Sequence, residues 1–330
     1  MKALVFTKYG TPFNVLQPKE LPKPVPGEHE VLVKIHATAV NDYDWSMVRG
    51  KPYLYRLMFG MLKPKGQIPG MELSGTVEAV GEHAASFKVG DSVYGDISDY
   101  GFGSFAEYIC VHEKALALKP AGMTFEEAAS IPHASLLAYQ GLVGIGNIHK
   151  GQQILINGAG GGVGTFGLQL AKLYDAEVTG VDTGKKLEMM KSIGFDHIID
   201  YKKEDFTRNG RRYDLVLDAK TNRPPFSYPR SLKPNGKYVT VGGDLNRLIQ
   251  LLIVKPWISA FTSKSLHILA LKPNEGLEYI NELFEAGKIK PVIDGPHTLS
   301  QGAEALQYFG EGKHSGKVVI SIKLQICKKK

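Results

Sequence analysis

The segment that most constrains this chain is Ile154-Leu155-Ile156-Asn157 running into Gly158-Ala159-Gly160-Gly161-Gly162-Val163-Gly164. A short apolar run, a glycine-rich turn and a helical pattern continuing to about Tyr174 predict strand, turn and helix in direct succession. Side chains at such a turn would block close approach to the backbone. Glycines leave the N–H groups open, and the start of the next helix carries a partial positive charge, so the turn suits a pyrophosphate. Ala159, Gly161 and Gly164 fill the three positions of a dinucleotide fingerprint, with alanine at the first; Gly160, Gly162 and Val163 complete the cradle. The competing reading, a turn that only packs helix on strand, is disfavoured by the further strand–helix units on its carboxyl side.

After the turn, strands and helices alternate. Glu177–Asp182, His197–Asp200, Asp214–Asp218 and Lys237–Val241 read as strands, and Lys185–Ile193 as a helix between them. Ser263–Ala270 can add a strand and Glu275–Ala286 an amphipathic helix. This rhythm predicts an α/β fold with a doubly wound parallel sheet. The first third differs. Met1–Phe6, Val31–His36, Leu73–Val80, Val93–Tyr94 and Ser104–Val111 read as short strands, which suits a small barrel-like domain. Pro18, Pro22, Pro24 and Pro26 mark a loop that no helix tolerates. Thr124 and Glu127 form a capping box that opens a helix, and Pro132 breaks it. Gly316–Ile322 reads as a last strand that returns to the first domain. The expected division is 1–120, a β-rich domain; 121–270, the dinucleotide-binding domain; 271–322, a return to the first; and 323–330, a basic tail.

Composition bounds the alternatives. At 330 residues, two domains are the natural expectation. Cys110 and Cys327 are the two cysteines, too few for a disulfide framework or a cysteine-rich zinc module, and a reducing, cytoplasmic location is the expectation. The N-terminus lacks the pattern of a signal peptide. The most apolar stretch, Leu248–Ile258, is shorter than a membrane helix and is broken by Lys255 and Pro256; it reads as a buried or dimer-facing helix. The formal charge of +7 includes Lys323 and Lys328 to Lys330, a tail read as a solvated end. No aromatic-interleaved basic stripe points to nucleic acid.

Asp182 ends the second strand of the alternating region, 18 residues after Gly164, close to the ~20-residue spacing of a ribose-binding acid. Such an acid favours NAD(H). Lys185 and Lys186 come directly after it, and Tyr201 lies beyond the next strand; two ammonium groups and a phenol suit the 2′-phosphate of NADP(H). We favour NADP(H), with NAD(H) as the alternative. Gly242 and Gly243 end a further strand, where backbone would face a bound ligand.

Several segments together resemble the medium-chain dehydrogenase/reductase superfamily, over nearly the whole chain from Met1 to about Ile322. They are Pro26-Gly27 with Glu30 to Lys34, Val40-Asn41-Asp42-Tyr43-Asp44, Pro69 to Val77, Val89-Gly90-Asp91, Phe105 to Tyr108 and Ala138-Tyr139. The glycine turn, Ile199-Asp200-Tyr201, Val241-Gly242-Gly243 and Gly316 to Ile320 complete the set. The nearest branch looks like the zinc-free quinone oxidoreductases. The resemblance implies a Rossmann sheet beside a GroES-like β-barrel-type catalytic domain. In the zinc-dependent branch a cysteine ligand stands where this chain has Asn41 and a histidine where it has Met71; an amide and a thioether do not replace thiolate and imidazole for zinc. His133 stands at a third ligand position and reads better as a satisfied helix-start histidine. No zinc is therefore expected.

Without a metal the chemistry that fits is hydride transfer from NAD(P)H to an activated acceptor, a quinone or an α,β-unsaturated carbonyl. By resemblance the cleft is lined by Asn41 and Asp44, with Asn41 able to donate to a developing oxyanion and Tyr43 or Tyr53 able to supply a proton. Lys317 resembles a residue that approaches the cofactor; a surface strand lysine is its plainer reading. A zinc-free alcohol or aldehyde dehydrogenase, and a non-catalytic NADPH-binding protein of structural or regulatory role, are the alternatives. Relatives of this kind pair their Rossmann domains edge to edge, so a homodimer is expected.

Overall fold

The computed structural model describes residues 1–322, so the basic tail lies outside the described residues. The chain divides into two units: Met1–His133 together with the chain from Ile293 onward, and Ala134–Val292.

The first unit is built on β1 (Lys2–Val5), β2 (Gln17–Glu20), β3 (Glu30–Ala39), β4 (Glu72–Val80), β5 (Ser92–Asp96), β6 (Tyr108–His112) and β7 (Ala117–Leu118). The second carries β8 (Gln153–Asn157), β9 (Glu177–Asp182), β10 (His197–Asp200), β11 (Tyr213–Asp218), β12 (Leu232–Thr240) and β13 (Ser265–Ile268). The chain then re-enters the first unit with β14 (Ile293–Thr298) and β15 (Lys317–Ser321).

In the first unit one sheet runs β14-β15-β3-β4-β5-β7, with β6 also paired to β3. All of its pairs are antiparallel except β14 with β15. The register slips twice between β3 and β4, at Leu32/Val33 and Ile35/Ala37. Such irregularities bend a strand, as a sheet that curls toward a barrel requires. One core lies under Val31, Val33, Ile35, Leu73, Val77 and Val93, and a second gathers Leu4, Phe6, Val40, Met47, Phe105 and Ile320. The proline-rich loop expected near Pro18 is partly strand: β2 pairs antiparallel with β1, and Leu4 opposes Pro18. β2 is the outer strand of this two-stranded ribbon, the setting in which a strand accepts proline, while β1 is bridged on its other side at Ala3 and Ala106.

The second unit is a six-stranded, all-parallel sheet in the order β10-β9-β8-β11-β12-β13. Strands covered on both faces carry continuous apolar runs, as Ile154 to Ile156 and Leu215 to Leu217 do. Winding reverses between β8 and β11, and ligands of such sheets bind at the carboxyl ends beside that reversal. The helix Gly162–Lys172 buries Phe166, Leu168, Leu170 and Ala171.

The apolar segment read as a buried or dimer-facing helix is a 17-residue helix, Leu245–Phe261, that continues through Pro256. Within it Leu251 and Ile258 are buried, whereas Ile249, Leu252, Ile253, Trp257 and Phe261 stand exposed, the last two at 63% and 79%. The buried alternative is therefore overturned: one face meets the core and the other meets solvent. Among the described residues no helix is long and apolar enough to cross a membrane.

Candidate functional site

In the second unit the glycine turn is held by its own backbone. Gly158 and Ala159 donate to the Val181 carbonyl (2.9 and 3.1 Å), and Gly161 donates back to Gly158 (3.1 Å). Gly158 sits at φ +84°, in the left-handed region that favours glycine. At Gly164 a β-carbon would fall 2.4 Å from Ala159 Cα and its carbonyl oxygen, so the helix can approach the turn only with glycine there. The first amides of a helix have no intrahelical acceptor, and here that turn belongs to Gly162, Val163 and Gly164.

Asp182 ends β9 beside this turn and is buried. Its Oδ2 accepts Gly160 N–H (2.8 Å) and its Oδ1 accepts Thr183 N–H (2.7 Å), while Lys186 Nζ lies 3.6 Å from Oδ1. Lys186 is buried as well, whereas Lys185 and Tyr201 are exposed. Tyr201 N–H donates to the Asp182 carbonyl (3.2 Å), which ties the phenol's backbone to the same strand end.

At the reversal point, buried Asp218 collects the amides of Lys220 and Thr221 and the Asn157 side chain on Oδ1, each at 2.8 Å, and Tyr238 Oη on Oδ2 at 2.8 Å. Burial raises its pKa despite these bonds. Thr221 and Thr240 both donate to the Gly242 carbonyl, at 2.7 and 2.9 Å. A β-carbon at Gly243 would strike the Lys220 carbonyl at 2.0 Å, so the loop after β11 and the Gly242-Gly243 corner lie against one another. The sequence reading missed Asp218 as the post that anchors this corner; its only signal was an acid ending an apolar strand.

The first unit holds a different constellation, at three element ends. Asn41 follows β3 and precedes the helix Asp42–Arg49, Glu72 opens β4, and Lys317 opens β15. Register places Ala39 opposite both Glu72 and Val319. All three side chains are buried. Lys317 Nζ lies 2.6 Å from Glu72 Oε2 and donates to Asn41 Oδ1, and Asn41 Nδ2 donates to Glu72 Oε2 at 2.8 Å. A second, longer contact takes Asn41 Nδ2 to the Ala39 carbonyl (3.4 Å). Glu72 Oε1 accepts His133 N–H (2.6 Å), and His133 Nδ1 meets Asp96 Oδ2 at 2.8 Å. Burial opposes ionisation of Asp96, but the bond and charge of His133 and the bonds from Ser98 hold its pKa below the ordinary value.

Asp44 staples the loop beneath this cluster, taking Asn41 N–H on Oδ2 (2.9 Å) and Gly70 N–H on Oδ1 (2.8 Å). Burial pushes it up to about 7, against those two bonds and the Lys317 charge. Tyr43 packs edge-on to His133 and Tyr55, at 6.4 and 6.0 Å between ring centres. Burial, then Asp96 and Asp99, raise its pKa. Tyr53 is 66% exposed and lies under Arg56 and Lys51.

Of the residues singled out from sequence, Asn41, Asp44 and Lys317 thus share one buried network, Tyr43 lies at its edge and Tyr53 lies outside it. The reading of Lys317 as a surface strand lysine is corrected, because its ammonium is enclosed by Glu72 and Asn41. Glu72 and Asp96 were missed. Glu72 stood in the quoted Pro69-to-Val77 motif without a role, and Asp96 is its cross-strand partner, visible only in the register. Among the described residues no group of three or more His, Cys, Asp or Glu is arranged to hold a metal.

Comparison with known proteins shows the family and the fold. A family profile described as alcohol dehydrogenase GroES-like domain matches residues 27–121, and one described as zinc-binding dehydrogenase matches residues 193–320. The chain is 32% identical to the chloroplast envelope quinone oxidoreductase homolog of Arabidopsis thaliana, over 97% of this chain and 98% of that one. It is 33% identical to an NADPH-dependent alkenal/one oxidoreductase, chloroplastic, of the same organism, over 97% of this chain and 79% of the relative. The structure of the quinone oxidoreductase from Coxiella burnetii superposes with a TM-score of 0.87 at 27% identity, covering 98% and 99% of the two chains. The chain joins a GroES-like domain to a Rossmann sheet, and it belongs to the medium-chain dehydrogenase/reductase superfamily, in the quinone oxidoreductase-like branch.

Proposed function

We propose that this chain is an NADPH-preferring reductase of quinones or α,β-unsaturated carbonyls that works without zinc. The observation that carries the reading is the glycine turn at the carboxyl edge of the parallel sheet, partly exposed from Gly161 to Val163 and flanked by Lys185, Lys186 and Tyr201. The turn fits a pyrophosphate. Its backbone amides point out of a helix start, and Ala159 to Gly164 present no side chain larger than Val163. Relatives named for NADPH-dependent reduction of alkenals and for quinone reduction support the same chemistry.

The donor set argues against zinc. Asn41 and Met71 are poor zinc ligands, and the one strong donor beside them, Glu72, is engaged by the Lys317 ammonium at 2.6 Å. A fixed cation there repels a second one. When bound, a reduced nicotinamide supplies the hydride. The chain's own residues must then orient the acceptor and deliver a proton to the oxygen onto which the electron pair delocalises. Tyr43 suits proton delivery better than Tyr53, because it is half-buried beside His133 and Asp96 while Tyr53 faces solvent. Asn41 and Asp44 serve as positioning residues, since the carboxylate of Asp44 and the amide of Asn41 are already engaged within the fold.

Steady-state assays with menadione, an enal and a primary alcohol test the reading. NADPH oxidation is expected with the quinone or the enal and to survive chelation, with no alcohol oxidation. Turnover confined to the alcohol, or abolished with the loss of one tightly held zinc per chain, would overturn it.

We further propose a homodimer. β13 is an open sheet edge, and exposed Ile249, Leu252, Ile253, Trp257 and Phe261 lie on the helix that packs against it. Burying such a stripe stabilises association by roughly 25 cal/mol per Å² of apolar area. Sedimentation at micromolar concentration is expected to give a dimer that Trp257→Glu dissociates. A monomer for the unmodified chain would refute the proposal.

A further inference from the structure

The opposite, amino-terminal edge of the parallel sheet carries features that the reductase reading does not use. Gln153, Glu177, His197 and Tyr213 open β8, β9, β10 and β11, and all these strands run the same way, so the four residues share one edge. A cavity of ≈ 360 Å³ lies there, lined by these residues with Thr179, Arg211 and Arg212. Beside it a second cavity of ≈ 340 Å³ is lined by Thr207, Arg208, Gly210, Arg212 and Arg230. Arg212 belongs to both.

The carboxylates nearby are already committed. Glu177 meets His197 at 2.6 Å and Gln153 Nε2 at 2.8 Å. Asp214 holds Lys233 and Gln153 N–H, each at 2.8 Å, Asp205 is engaged by Thr207 and Arg223, and Glu204 holds Asn209. None of the four arginines is within ion-pair distance of a carboxylate among the described residues. Their field is felt locally: burial, then Arg212, lower the pKa of Lys264. In the first cavity the Tyr213 hydroxyl is buried beside Thr179 and Arg211, and neither makes a well-formed hydrogen bond to it. A buried hydroxyl short of a well-formed bond, beside guanidinium groups that hold no carboxylate in an ion pair, is the arrangement that a polyvalent oxyanion completes.

We propose that this edge is a second anion site, which binds a ligand with clustered phosphate groups through Arg208, Arg211, Arg212 and Arg230. Guanidinium forks match phosphate oxygens two at a time, and Arg212, shared by both cavities, lets neighbouring phosphates sit one in each. Tyr213 donates to the phosphate in the first cavity. The ligand is either a free oligophosphate or a polyphosphorylated lipid headgroup, which present the same chemistry.

Calorimetry with inorganic tripolyphosphate at fixed ionic strength tests the site, with vesicles of phosphatidylcholine alone or carrying phosphatidylinositol bisphosphate as the second arm. Saturable binding of tripolyphosphate is expected. Arg212→Gln, a substitution at an exposed position, should weaken it by about tenfold or more. Arg208→Gln with Arg230→Gln should do likewise, and Lys185→Gln, at the glycine-turn edge, should leave it unchanged. Arg212-dependent binding confined to the bisphosphate vesicles would support the site and assign its phosphates to a headgroup. Absence of saturable binding in both arms would overturn the proposal. So would binding that Lys185→Gln weakens and Arg212→Gln does not, which would locate the anion at the cofactor turn.

Discussion

Lys317→Met is expected to destabilise the protein by about 3–5 kcal/mol, the usual consequence of leaving one member of a buried ion pair without its partner. Glu72 is fully buried, and its Oε2 takes both the Lys317 ammonium at 2.6 Å and the Asn41 amide at 2.8 Å. Without the ammonium the carboxylate keeps its desolvation penalty and loses its main counter-charge. Glu72→Gln alone should be costly for the mirror reason. The double variant Glu72→Gln/Lys317→Met removes both charges, so it should recover part of the loss, and the coupling is read from a double-mutant cycle on denaturation midpoints. The cycle also separates two roles for Lys317. A residue that only touched the cofactor would raise KM and leave stability unchanged. A loss below about 1 kcal/mol with a raised KM would therefore refute the structural role of this lysine.

The second large effect concerns cofactor choice. Lys186→Ala is expected to lower the ratio of kcat/KM for NADPH over NADH by about tenfold, as loss of one charge-assisted hydrogen bond to a phosphate would. The conflict in the sequence is that Asp182 favours ribose hydroxyls while Lys185, Lys186 and Tyr201 favour a 2′-phosphate. The fold bears on that conflict. Both oxygens of Asp182 already accept backbone amides, from Gly160 and Thr183, so its carboxylate is turned into the turn and is partly neutralised by Lys186 at 3.6 Å. An acid so engaged has less to offer a ribose and repels a phosphate less. Lys185 and Tyr201 stay exposed at the same strand end. Asp182→Ser should raise the ratio while lowering kcat/KM with both cofactors, because it also releases Gly160. A wild-type ratio well below one, unmoved by Lys186→Ala, would reverse the assignment to NADH.

What the sequence determined alone is local. The apolar run Ile154 to Ile156, the turn at Gly158 and the close approach at Gly164 depend on neighbours within a few residues, so strand, turn and helix were all legible. The capping box of Thr124 and Glu127 was legible for the same reason and is present. Strand order was not, because register is set by pairing between distant segments. Lys317 and Asn41 stand 276 positions apart, and only the return of β15 beside β3 makes the ammonium a buried partner of Glu72 instead of a surface charge. The same holds for the arginines at the amino-terminal edge of the sheet. In the sequence Arg208, Arg211 and Arg212 are three charges in a loop. Parallel alignment of β8 to β11 puts Arg211 and Arg212 in one cavity with a buried tyrosine and Arg208 in the next, with the nearby carboxylates already taken. Backbone conformation is dictated by short-range sterics and periodicity. The protonation, pairing and accessibility of a charged side chain depend on which distant groups the fold packs against it, and that was decided by tertiary structure alone.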